Sequence, residues 1–138
     1  MSIPFGAPSL CQVLYIEDRQ VNVTLMRELF KLRPHLELVV AENGLWAARM
    51  APQLRPSLLL IDLRLPDCFG TELLPLLRLR FGWQEIPAVA VTADPVFDCS
   101  SSGFAEVWRK PLNLRHVLHR LDHFVPVRAE SGMSHSPP

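Results

Sequence analysis

The run Leu58-Leu59-Leu60-Ile61-Asp62-Leu63 constrains this chain more than any other stretch. Apolar residues lead without a break into an aspartate, and Arg64-Leu65-Pro66-Asp67 with Gly70 ends the pattern at once. A short unbroken apolar run bounded by turn residues predicts a strand buried on both faces, as in parallel sheets covered by helices. In such sheets reactive groups gather at the carboxyl ends of the strands. Asp62 stands at that end.

The rest of the chain alternates around this strand. Gln12 to Ile16 is β-branched and aromatic and ends on Glu17-Asp18. Val21, Leu25, Met26, Leu29 and Leu32 then recur at helical spacing until Pro34. Leu36 to Val40 reads as a second strand, punctuated by Asn43-Gly44 before a short helix over Trp46 to Met50. After the Asp62 strand, Thr71 to Arg80 predicts a helix that Pro75 should kink or delay. Ile86 to Val91 is a further buried strand ending on Thr92-Ala93. Residues 94 to 103 (DPVFDCSSSG) hold few helix formers and predict one helical turn at most. Val107-Trp108 gives a short fifth strand ending at Lys110-Pro111, and Leu114 to Val125 a last amphipathic helix. This order predicts an α/β fold with a parallel sheet and right-handed crossovers. It lies over residues 11–125, between a flexible leader (1–10) and a disordered tail (126–138).

Composition narrows the function classes. At 138 residues the chain suits one domain with a real core, and its 14 basic residues equal its 14 acidic ones. No net field favours nucleic acid or an anionic membrane. Three separated cysteines, Cys11, Cys68 and Cys99, indicate neither a disulfide framework nor a zinc site, which fits a reducing compartment. The sequence has no apolar run near the roughly 18 residues of a membrane span, and its first ten residues lack an export signal. The expectation is a cytoplasmic protein with no direct contact to nucleic acid or membrane.

Four predicted strands end on polar groups: Glu17-Asp18, Asp62, Thr92 and Lys110. A parallel sheet puts those ends on one edge. Three carboxylates brought together repel unless a cation or a proton neutralises them. A hard divalent ion such as Mg²⁺, which takes oxygen ligands and keeps some of its waters, suits such a set better than zinc. Asp62 could then attack phosphorus as a carboxylate nucleophile.

These residues in this order resemble the receiver domain of two-component response regulators, over about Val13 to Val125. The resemblance rests on Glu17-Asp18, on Asp62 with Leu65-Pro66-Asp67 and Gly70, on Thr92-Ala93, and on Lys110-Pro111. It implies a flavodoxin-like, doubly wound, five-stranded parallel sheet of order 2-1-3-4-5. It implies that Asp62 is the phosphoacceptor, taking its phosphoryl group from a histidine kinase or phosphotransfer protein. Glu17, Asp18, Asp62 and the backbone carbonyl of Arg64 would bind Mg²⁺, while Thr92 and Lys110 would hold the phosphoryl oxygens. The chain would act as a phosphorylation-controlled switch of partner binding, with self-association a further possibility, and not as a metabolic enzyme. The style of the motifs is similar to receivers of, or partnered with, hybrid kinases.

Departures from the family pattern keep a second reading open. The helix expected between Thr92 and Gly103 is shortened or missing, and Val107 stands where an aromatic switch residue is common. A pseudo-receiver that signals by constitutive binding would tolerate both. A phosphatase with an aspartyl nucleophile would want a second acid at position 64, where this chain has Arg64. Residues 94–103 are expected to form a flexible loop, Arg64 and Asp94 are candidates to pair over the site, and Trp108 either faces outward or partly substitutes for the aromatic. His116, His119 and His123 share roughly a 60° arc of the last helix, which favours a solvated or partner-facing surface over a metal site. Cys68 and Cys99 read as inert thiols.

Overall fold

The computed structural model describes residues 10–127. Most of the expected leader and tail fall outside those residues. Among the described residues nine regular elements follow one another: β1 (Cys11–Ile16), α1 (Gln20–Phe30), β2 (Leu36–Ala41), α2 (Gly44–Met50), β3 (Pro56–Asp62), α3 (Gly70–Phe81), β4 (Ala88–Thr92), β5 (Glu106–Arg109) and α4 (Leu114–Phe124). A short 3-10 turn, Ala51–Gln53, follows α2. The five strands form one parallel sheet in the order β2-β1-β3-β4-β5. This is the doubly wound, flavodoxin-like arrangement, and it puts the carboxyl ends of β1 and β3, the two strands with acidic ends, side by side.

Alternation along the strands sorts the core into two layers. Leu14, Ile16, Leu59, Ile61, Ala88 and Ala90 pack with Ala47 of α2 and Leu73, Leu74 and Leu77 of α3. Val13, Tyr15, Leu58, Leu60, Val89 and Val91 pack on the other face, with Met26 and Leu29 of α1 and Val117 and Leu121 of α4. Trp108, only 1% exposed, belongs to this second layer. It therefore does not face outward, and it lies across the sheet from Val107, which packs with the α3 layer.

Helix α3 begins at Gly70 without delay and runs as one element, with Pro75 inside it. Pro75 and Thr71, whose carbonyl the proline leaves without a donor, are both exposed, so water can satisfy that carbonyl. Gly82, in the left-handed region at φ 72°, ends the helix.

Between β4 and β5 the chain forms turns and no helix. It is not a loose loop. Arg109 donates from Nη1 to the Asp94 carbonyl and from Nη2 to the Phe97 carbonyl, the latter at 2.7 Å. Arg78 of α3 holds the far end, donating to the carbonyls of Gly103 and Ile86 at 2.9 Å each. The rings of Phe97 and Phe104 meet edge to face at 6.3 Å, and Phe104 is buried in the α3 layer. Residues 93–105 thus form a strap laid over that layer.

Candidate functional site

The site begins below its own surface, at Tyr15. Residues 13, 15 and 17 share one face of β1 and its extension, so the Tyr15 side chain lies directly beneath Glu17. The Tyr15 hydroxyl donates to Glu17 Oε1 at 3.1 Å, and the Arg19 backbone N–H donates to Oε2 at 3.2 Å. Glu17 has no exposure at all, and Asp62 is 6% exposed. Asp18 is exposed, and carboxylate oxygens of Glu17, Asp18 and Asp62 lie within 4.8 Å of one another.

Lys110 answers these charges. Its Nζ lies 2.9 Å from Asp62 Oδ2 and 3.1 Å from Glu17 Oε1. Burial and the Asp62 charge nonetheless hold the Glu17 carboxyl above its ordinary range, against the pull of Lys110 and the Arg19 amide. Burial lowers the Lys110 pKa, but its bond to Asp62 and the charges of both acids outweigh that and raise it. Burial, then Glu17 and Asp62, also raise Tyr15, so its hydroxyl stays a donor. Three carboxylates thus gather around one ammonium.

The remaining residues close around Asp62. The Arg64 backbone N–H donates to Asp62 Oδ1 at 3.0 Å. Thr92 is 5% exposed, and its Oγ1 accepts the Asp94 N–H at 3.0 Å. Thr92 and Lys110 line one open cleft with Asp18, Asp62 and Arg64. The Lys110 N–H pairs with the Thr92 carbonyl at 2.8 Å, which extends the β4–β5 ladder to the cleft. The Lys110-Pro111 peptide is cis.

Gly70 makes the turn after Asp62 possible. A Cβ there would stand 2.7 Å from the Asp62 carbonyl oxygen and 3.0 Å from Leu63 Cα, both backbone atoms. Asp67, which a sequence reading takes for a plain turn residue, caps a different helix. Its Oδ1 and Oδ2 accept the N–H groups of Gly44 and Leu45 at 2.9 Å each, joining the β3–α3 loop to the start of α2. Partial burial opposes its ionisation, but these two donors win and hold its carboxyl below the ordinary range.

All of Glu17, Asp18, Asp62, Arg64, Thr92 and Lys110 thus meet at one strand edge. The support of Tyr15 beneath Glu17, the Asp67 cap on α2 and the Arg109 hold on the strap were not legible in the sequence. The signal for Tyr15 was its two-residue spacing from Glu17; for Asp67 and Arg109 the partners are backbone groups distant in sequence, and no spacing reveals them.

The pairing of Arg64 with Asp94 is corrected. Among the described residues no ion pair joins Arg64 to Asp94; the Asp94 carboxylate folds back to accept the Val96 N–H at 2.9 Å. His116, His119 and His123 are exposed, and the described residues bring no three-ligand group together on that helix. All three cysteines are free. Burial and the neighbouring Asp67 push the Cys68 thiol up to about 11, so it rests protonated, as an inert thiol should.

The oxygen-only donor set fits a hard divalent ion: three carboxylates converge, and two of them are buried. Comparisons with known proteins bear on the fold and the family. The receiver domain of the sensor histidine kinase PA1611 from Pseudomonas aeruginosa PAO1, solved with a magnesium ion in its active-site cleft, superposes at a TM-score of 0.75 and 22% identity. That match covers 86% of this chain and all of the other. The chemotaxis response regulator CheY4 of Vibrio cholerae superposes at 0.74 and 18% identity, covering 85% of this chain and all of the other. At such identities these structures establish the fold. In sequence, the polar-differentiation response regulator DivK of Brucella anthropi is 36% identical over 81 residues, 59% of this chain and 65% of that relative's length. DivK of Brucella ovis is 33% identical over the same shares. The model of the response regulator receiver domain family matches residues 13–122, nearly the whole described structure, and this chain belongs to that family.

Proposed function

We propose that Asp62 accepts a phosphoryl group from the phosphohistidine of a histidine kinase or phosphotransfer protein, and that the modified chain then changes its partner binding. The observation that carries this reading is the charge arrangement at the cleft: two buried carboxylates and one exposed, with a lysine ammonium at 2.9 Å from Asp62 and 3.1 Å from Glu17. In the reaction an Asp62 oxygen attacks phosphorus, the phosphorus–nitrogen bond of the donor breaks, and the leaving imidazole takes up a proton. Lys110 stays beside Asp62 and neutralises the phosphoryl oxygens as they arrive. The Thr92 hydroxyl, whose oxygen already accepts from Asp94, keeps its hydrogen free for a phosphoryl oxygen. Glu17, Asp18, Asp62 and the Arg64 carbonyl would hold Mg²⁺, which supplies further charge neutralisation when bound.

On this reading the chain promotes only its own modification, by positioning and electrostatics, and works beside a kinase in the cytoplasm. Among the described residues no helix is long and apolar enough to cross a membrane. The test is incubation with Mg²⁺ and a small acyl phosphate, followed by mass spectrometry. Wild type should gain one phosphoryl mass and Asp62→Ala none. A folded wild type that gains no mass would shift the reading to a pseudo-receiver that binds constitutively. That alternative draws on Lys110 already sitting across Asp62 and Glu17 and on the absent helix between β4 and β5.

A further inference from the structure

The strap of residues 93–105 begins at the cleft, which Ala93, Asp94 and Pro95 line beside Thr92. The Asp94 N–H donates to Thr92 Oγ1 at 3.0 Å. Thr92 and Arg109 are direct partners in the β4–β5 register. From that position Arg109 sends one guanidinium nitrogen to the Asp94 carbonyl and another to the Phe97 carbonyl. The alternation of β5 explains the reach. Trp108 turns to the α4 layer, while Val107 packs with the strap's layer, and Arg109 shares the parity of Val107. A planar fork with fixed donors can grip two carbonyls at once, which a lysine cannot.

We propose that Arg109 couples Thr92 to the strap, so that phosphorylation of Asp62 is read out as a rearrangement of residues 94–104. The proposal rests on the reading of Asp62 as a phosphoacceptor and names the element that reports the event. A phosphoryl oxygen drawing the Thr92 hydroxyl into the cleft stretches its bond to the Asp94 N–H unless Asp94 follows. Arg109 joins Asp94 to Phe97, so the two carbonyls move together. Phe97 carries the movement inward through its edge contact with the buried Phe104 ring. A surface arginine holding two backbone carbonyls thus supplies a rigid connection where the fold has no helix.

The test measures amide hydrogen exchange with and without beryllium trifluoride and Mg²⁺, a mimic of the phosphoryl group whose binding is followed separately by its fluorine resonance. In wild type the mimic should change exchange of strap amides by about fivefold or more, the scale of an ordinary coupling energy. In Arg109→Ala the mimic should still bind and still alter the β3–α3 loop, but the strap should no longer respond. By reciprocity the mimic's affinity should change as well, which a residue that merely fastens a loop would not bring about. Arg109→Lys, which keeps the charge but not the fork, should fall between and carries the comparison should the alanine variant fail to fold. A bound mimic with an unresponsive wild-type strap overturns the coupling. So does an Arg109→Ala strap that responds as wild type does. A wild type that binds no mimic overturns the phosphoacceptor reading itself, and with it the proposal.

Discussion

Lys110 neutralises two of the carboxylates that would also hold a divalent cation. Its ammonium bridges Glu17 and Asp62, yet burial, and after it the Asp62 charge, still raises Glu17 above its ordinary range. Removing it leaves two nearly buried carboxylates facing each other with no fixed cation. Lys110→Ala should therefore destabilise the metal-free protein by about 1.5–3 kcal/mol, the worth of hydrogen bonds to charged groups. Mg²⁺ should restore more stability in the variant than it adds to wild type, because ion and lysine would both neutralise the Glu17 and Asp62 carboxylates. Thermal denaturation with Mg²⁺ or with chelator measures both effects; equal gains in the two proteins would show that they do not compete.

Among the elements, α2 depends on a residue from another loop. A seven-residue helix is too short to stand by itself, and its first turn is held by Asn43, which accepts the Trp46 N–H at 2.8 Å, and by Asp67. Asp67→Ala should cost about 0.5–2 kcal/mol in urea denaturation, as the loss of a helix cap does. It should also speed exchange of the Gly44 and Leu45 amides while leaving α1 unchanged. The sign of the pH dependence follows from the lowered Asp67 value. The cap contributes in full above the ordinary 3.8 and is lost as pH falls through the lower folded-state value. Wild type and variant should therefore converge in strong acid and differ constantly near neutrality.

At the scale of the whole molecule, Trp108 binds the edge strand to the last helix. Its ring is buried in the α4 layer, and its Nε1 donates to Glu106 Oε2 at 2.7 Å. Glu106 in turn receives two bonds from Arg120 of α4, at 2.9 and 2.7 Å. The far end of α4 is fastened to the α1–β2 turn by Arg33 on Asp122, at 2.6 and 2.9 Å, and by His35 on the Val125 carbonyl at 3.0 Å. Trp108→Ala should destabilise the protein by about 3–5 kcal/mol in chemical denaturation, the range for emptying an aromatic core site. Val107→Ala removes far less buried volume and should cost about a third as much or less.

The parallel sheet and most of the cleft follow from local sequence pattern. Apolar runs ending in Asp62 and Thr92, and the acidic pair after β1, specify buried strands whose polar ends converge once the strands lie parallel. The two-residue period also puts Tyr15 and Glu17 on one face before any contact is known, whereas the face of Trp108 stayed open until the packing was seen. What the tertiary structure alone decided are contacts between groups far apart in sequence: the Lys110 bridge, the Asp67 cap on α2, and the hold of Arg78 and Arg109 on strap carbonyls. The residues 94–103 read as a loose loop because they lack helix formers, and they do lack a helix. Their tethers come from arginines on α3 and β5, and a backbone carbonyl leaves no mark in the sequence to say which side chain will reach it.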